Sequence, residues 1–108
     1  MHHVSKYWEL EEGYRTYYDD SGFCAYSCVS GEFYIAHFYV EKGRSSYKFF
    51  DKIKKIAKEL GATHLSGNID LNEANKENYT NKVLIQLKHG YKIVDVTDKR
   101  ITVIYELD

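Results

Sequence analysis

The residues Lys42-Gly43-Arg44-Ser45-Ser46-Tyr47 carry the sharpest chemistry in this sequence. Two cations, two hydroxyls and a glycine lie between an apolar run, Phe33 to Val40, and a helical pattern that begins near Ser46. A helix opening from such a loop aims unpaired backbone N–H groups and a partial positive charge at one point, which attracts phosphate. Lys42 and Arg44 add full charges, and a guanidinium can hold two phosphate oxygens at once. The same stretch also fits an ordinary strand–loop–helix without a ligand, since such turns often carry Ser and Gly.

A second candidate is His37, whose imidazole titrates near neutrality and so could serve as a general base. A histidine held structurally by its neighbours is the alternative. The histidines at 2, 3, 37, 64 and 89 show no zinc-ligand spacing, so no metal site is expected. Cys24 and Cys28, placed on one strand, share a face but stand about 13 Å apart, too far for a disulfide. Reduced thiols are expected.

The elements that position these residues follow from periodicity. Phe33 to Val40 is rich in β-branched and aromatic side chains and reads as a strand. Strict alternation puts Tyr34, Ala36, Phe38 and Val40 on one face, with Ile35, His37 and Tyr39 on the other. Phe49, Phe50, Ile53, Ile56, Ala57 and Leu60 recur at three and four residues, one face of a helix from about Ser46 to Leu60. Ser45 or Ser46 can cap its start, and Gly61 stands where a left-handed C-cap residue belongs. Ahead of it, Gly13 to Tyr18, the turn Asp19-Asp20-Ser21-Gly22, Phe23 to Val29 and the turn Ser30-Gly31 complete a three-stranded meander.

Thr63 to Ile69 reads as a buried strand, made parallel to the strand before the helix by the crossover. Asp70 to Asn81 is a polar loop or a ragged helix start. From about Thr80 a second helix places Val83, Leu84 and Leu87 on one side and ends at Gly90. Tyr91 to Val96 and Ile101 to Leu107, joined through Thr97-Asp98-Lys99, close as an antiparallel hairpin. The fold class is therefore α/β (α+β), a mixed central sheet in the order β-β-β-α-β-α-β-β. Residues 1–108 form a single domain, and residues 1–12 are poorly defined by pattern.

Composition supports one soluble domain. The chain has 108 residues, enough for one core but not two. A net charge of −1 and a pI near 6.5 provide no global field to recruit nucleic acid. Lys48, Lys52, Lys54, Lys55 and Lys58 read as a solvated helix face. No apolar run reaches the ~20 residues that span a bilayer, and no signal peptide follows Met1. A cytoplasmic protein is expected.

The element order, with Phe38-Tyr39-Val40 ending the meander, Ala57-Lys58-Glu59-Leu60-Gly61-Ala62 ending the first helix and Lys88-His89-Gly90-Tyr91 ending the second, resembles the GNAT superfamily of acyl-CoA-dependent N-acyltransferases. The match extends from about Gly13 to Leu107, with the family's first strand and two helices reduced to Met1–Glu12. The resemblance implies a truncated GNAT-like fold and a cleft between two splayed strands that holds acetyl-CoA or coenzyme A. It assigns Phe38, Tyr39 and Val40 to the thioester arm. Lys42, Gly43, Arg44, Ser45, Ser46 and Tyr47 take the pyrophosphate. Asn68 and Asn75 lie near the pantetheine or the acceptor. The family loop usually carries small residues where this chain has Arg44 and Ser46. Where the family often places a proton-donating Tyr, this chain has Gln86, and Tyr79 is the nearby substitute.

Two functions follow from the resemblance. One is transfer of an acetyl group from the thioester to an amine, on a protein or a small molecule. The other is a scaffold that has lost catalysis and binds a protein partner; short chains of this type resemble accessory or host-takeover proteins of phages, which would act in the host cytoplasm. A third reading, from exposed aromatics at Tyr7, Trp8, Tyr17 and Tyr18, is a homodimer contact.

Overall fold

The computed structural model describes residues 13–71 and 84–107. The elements are β1 (Arg15–Asp19), β2 (Gly22–Val29), β3 (Glu32–Val40), α1 (Ser46–Glu59), β4 (His64–Asp70), β5 (Lys92–Val96) and β6 (Arg100–Glu106). Residues 84–88 are helical and lead into β5. Tyr7, Trp8, Asn75 and Tyr79 lie outside the described residues.

The strands form one sheet in the order β1-β2-β3-β4-β6-β5. Every neighbouring pair is antiparallel except β3 and β4, which the α1 crossover makes parallel. The expected mixed sheet and its chain order are therefore present. The turns explain the meander. Asp19 Oδ1 accepts from the Ser21 amide at 2.7 Å between β1 and β2. Ser30 (φ 52°) and Gly31 (φ 83°) both adopt left-handed backbone between β2 and β3, the requirement of a two-residue hairpin whose twist matches its strands.

Helix α1 begins where Ser45, in extended conformation, accepts a hydrogen bond from the Lys48 amide. It ends in the expected glycine cap. The Ala62 amide donates to Ala57 O and the Gly61 amide to Lys58 O, both at 3.0 Å, with Gly61 at φ 81°. Both bonds satisfy carbonyls that the last turn leaves without helical donors. Phe49, Phe50, Ile53 and Ala57 form its buried face. They meet Cys24 and Tyr26 of β2, Phe33 of β3, Leu65 and Ile69 of β4, Tyr91, and Val103 of β6. Phe33 stacks on Tyr26 with ring centroids 4.5 Å apart. Fully burying a side chain of this size stabilises by about 1.5–3 kcal/mol, so the sheet face under α1 is the core.

Tyr17, read from sequence as an exposed aromatic, instead packs on Phe49 at 6.0 Å between ring centroids, while Tyr18 is exposed. Both cysteines lie on β2 as free thiols.

Strict alternation along β3 does not hold. Ala25 pairs with His37 but the next β2 residue, Tyr26, pairs with Ile35, so Ala36 is an extra residue on β3. The bulge turns the remainder of the strand over. Phe33, Ile35, Phe38 and Val40 all pack toward the α1 core, with Phe38 against Phe49 and Phe50. Tyr34 meets Tyr14 and His37 meets Phe23, two rings outside that core cluster. One additional residue moves every later side chain to the opposite face of what a period of two predicts.

Candidate cofactor cleft

The parallel pairing of β3 with β4 runs through Glu32↔His64, Phe33↔Leu65, Tyr34↔Ser66 and Ile35↔Gly67, and stops there. Both strands continue, β3 to Val40 and β4 to Asp70, without pairing to each other. The end of the pairing coincides with the bulge at Ala36. A bulge bends its strand and increases local twist, and here β3 stays with β2 as far as Val40 while β4 stays with β6 as far as Asp70. The two halves of the sheet therefore diverge.

A cavity of about 380 Å³ occupies the divergence, within the size range of small-molecule sites. Ala36, His37, Phe38 and Val40 line one side, and Gly67, Asn68 and Ile69 line the other. Ser46 and Phe50 of α1 close a third side, with Ile85, Gln86 and His89. Expectation had Leu84 and Leu87 on the apolar side of the second helix. Both are exposed, as is Ile85, and Ile85, Gln86 and His89 line the cavity.

In the turn that leads into α1, the Glu41 amide donates to Ser21 O at 2.7 Å and the Arg44 amide to Glu41 O at 3.0 Å. Gly43, at φ 85°, supplies the left-handed residue that this turn requires. Lys42 and Arg44 project from it, exposed. In the first turn of α1 the Lys48 amide is occupied by Ser45 Oγ at 3.2 Å, and the Phe49 amide by Ser45 O at 3.2 Å. Helix geometry leaves Ser46 and Tyr47 with no intrahelical acceptor for their amides. The first turn also lacks an acidic residue, so no carboxylate within that turn offsets the positive end of the helix dipole.

The cleft thus gathers His37, Phe38, Val40, Ser46 and Asn68 among the sequence candidates. Lys42, Gly43, Arg44 and Ser45 are not on the cavity wall; they form the turn and the cap that lead to Ser46, which is. Tyr39 is not on the cavity wall; its hydroxyl donates to Glu41 Oε2 at 3.3 Å. The Asn68 side chain is committed to its neighbours, accepting from Thr102 Oγ1 at 2.8 Å and donating to Tyr34 Oη at 3.2 Å.

One residue of the cleft was missed. His89 Nε2 stands 3.1 Å from Ser46 Oγ, and its ring packs against Tyr47 at 4.2 Å and Phe50 at 5.2 Å between centroids. Burial, then the positive charge of Lys54, lowers its pKa from the usual imidazole value against an opposing pull from Asp51. The only sequence signal was its place one residue before the helix-ending Gly90.

No family model matches the sequence, and no curated protein matches it. Solved structures do resemble it in shape, and they define the fold as that of the GNAT acetyltransferases. A GNAT-family protein from Desulfovibrio desulfuricans superposes with a TM-score of 0.66 at 12% identity, over 95% of this chain and 76% of that one. Ard1 from Thermoplasma volcanium gives 0.64 at 17% identity, over 96% and 76%. The PaiA N-acetyltransferase of Thermoplasma acidophilum, solved with coenzyme A, gives 0.61 at 13% identity; the match covers 81% of this chain and 54% of that protein.

Proposed function

We propose that this protein binds acetyl-CoA in the cleft between β3 and β4 and transfers the acetyl group to an amine. The observation that carries the reading is the end of strand pairing at Ile35 and Gly67, with a cavity in the opening and, beside it, the start of α1, where the Ser46 and Tyr47 amides have no intrahelical acceptor. Backbone groups along the freed edges suit the amide-rich pantetheine arm. The α1 amides, Lys42 and Arg44 suit its diphosphate. Structures of the same fold solved with coenzyme A support the choice of ligand.

In this reading the amine nitrogen attacks the thioester carbonyl, the C–N bond forms, and the C–S bond breaks as the oxyanion collapses. An N–H on the freed edge of β3 would stabilise that oxyanion. His37, on the cavity wall, would take the proton released by the amine, and the departing thiolate must gain one. Isothermal titration with acetyl-CoA tests the reading. Micromolar to submillimolar binding is expected; a folded sample that fails to bind at millimolar cofactor overturns it.

The second reading is a GNAT-fold scaffold that binds a protein and does no chemistry. Gln86 on the cavity wall favours it, because a side-chain amide does not supply a proton to a thiolate. Coenzyme A binding without thiol release from acetyl-CoA across a panel of amines and peptides would favour this reading. Measurable release would end it.

A further inference from the structure

Resting on the acetyl-CoA reading, we propose that His89 is a proton-linked ligand for the cofactor's diphosphate, released from Ser46 and turned to the anion when the ring is protonated. The geometry comes from two elements that the cleft brings together. Ser46 opens α1, beside amides that lack helical acceptors, and His89 follows the helical residues 84–88; both line the same cavity. Their contact of 3.1 Å places Nε2 at the start of α1, where a diphosphate held by that helix must lie. Tyr47 and Phe50 pack against the ring and keep it beside the first turn of α1.

Charge determines when the exchange occurs. Among the described residues, the titratable and charged groups around the ring are Tyr47, Asp51 and Lys54 on α1, with Tyr91 and His37 elsewhere on the cavity wall. Burial and Lys54 shift the free ring toward its neutral form, and a neutral Nε2 can only accept from Ser46 or donate a single uncharged bond. A bound anion reverses the balance by favouring the cationic ring, which then donates a charge-assisted bond. Binding must therefore take up a proton. The sign follows from linkage: a ligand that raises a pKa binds more tightly as pH falls through the bound value, and levels off below the free value.

The test is calorimetry with dephospho-coenzyme A, which lacks the phosphomonoester that would itself titrate near neutrality. At pH 7.5, the observed heat should vary linearly with the ionisation enthalpy of the buffer. Affinity should weaken by up to about tenfold per pH unit between the free and bound pKa values. In His89→Gln, the heat should be independent of buffer and the affinity flat with pH. Buffer-independent heat in the native protein, or pH dependence that survives in His89→Gln, overturns the proposal and leaves cofactor binding intact. If neither coenzyme A nor dephospho-coenzyme A binds, the acetyl-CoA reading fails and takes this one with it. Should His89→Gln not fold, NMR titration of the native imidazole decides the matter: its pKa must rise on adding dephospho-coenzyme A, and an unmoved pKa overturns the proposal.

Discussion

Ile35 and Gly67 face each other across the last rung that β3 and β4 share, and both border the cavity beyond it. A Cβ built on Gly67 would meet only Ile35 O, at an ordinary van der Waals distance of 3.7 Å. Gly67→Val should therefore fold normally while its methyls project into the opening. We expect acetyl-CoA binding to weaken by about tenfold or more, roughly 1.4 kcal/mol, with an unchanged melting temperature. Full-strength binding by the variant would place the cofactor elsewhere.

The turn before α1 offers an electrostatic test. Arg44 is exposed, so Arg44→Glu should shift stability by no more than about 0.5 kcal/mol. Reversing the charge beside a diphosphate should cost about tenfold in affinity at low salt. The difference should shrink as salt is raised, because exposed charges are screened within about 10 Å at 0.1 M. Equal affinities at low salt would remove Arg44 from the site.

Asp19 accepts from Lys52 Nζ at 2.6 Å, tying the β1–β2 turn to α1. Partial burial alone would raise the Asp19 pKa, but hydrogen bonds from Lys52, the Ser21 amide and Tyr17 outweigh it and hold the carboxyl down at about 2. A depressed native pKa contributes stability above the unfolded value of 3.8 that is lost as pH falls toward 2. Lys52 is half exposed, so screening limits the contribution to about 0.5–1 kcal/mol. Urea unfolding of Asp19→Asn should show that deficit at pH 6 and converge with the native protein near pH 2. A deficit that is constant with pH would mean the ion pair is not its source.

Gly22 is needed because of what lies opposite. It pairs with Val40, and a Cβ there would fall on the carbonyl oxygen of Tyr39, backbone that cannot yield without shifting β3. Gly22→Ala should destabilise by about 1–3 kcal/mol, lowering the thermal midpoint by several degrees. An unshifted midpoint would show that the hairpin relaxes freely.

Much of the scaffold was legible because its signals are local. Ser30-Gly31 announced a tight turn, Gly61 a helix cap, and Phe49, Phe50, Ile53, Ile56, Ala57 and Leu60 a single helix face, of which only Leu60 is exposed. The site was less legible, since its residues meet only through the tertiary fold. Ala36 looks like any other strand residue, so nothing in the run FYIAHFYV marks the position where alternation breaks. His89 was tested only against zinc-ligand spacing, and its partner Ser46 lies 43 residues away. Val83, Leu84 and Leu87 were assigned to one side of the second helix; Leu84 and Leu87 are exposed, Val83 lies outside the described residues, and Ile85, Gln86 and His89 line the cavity.

The extra residue at Ala36 also has a mechanical meaning. Excising it would return β3 to an unbroken pleat, so that the strand could zip along β4 to its end and the groove would disappear. One alanine thus marks both the break in the alternation of β3 and the rung at which its pairing with β4 ends.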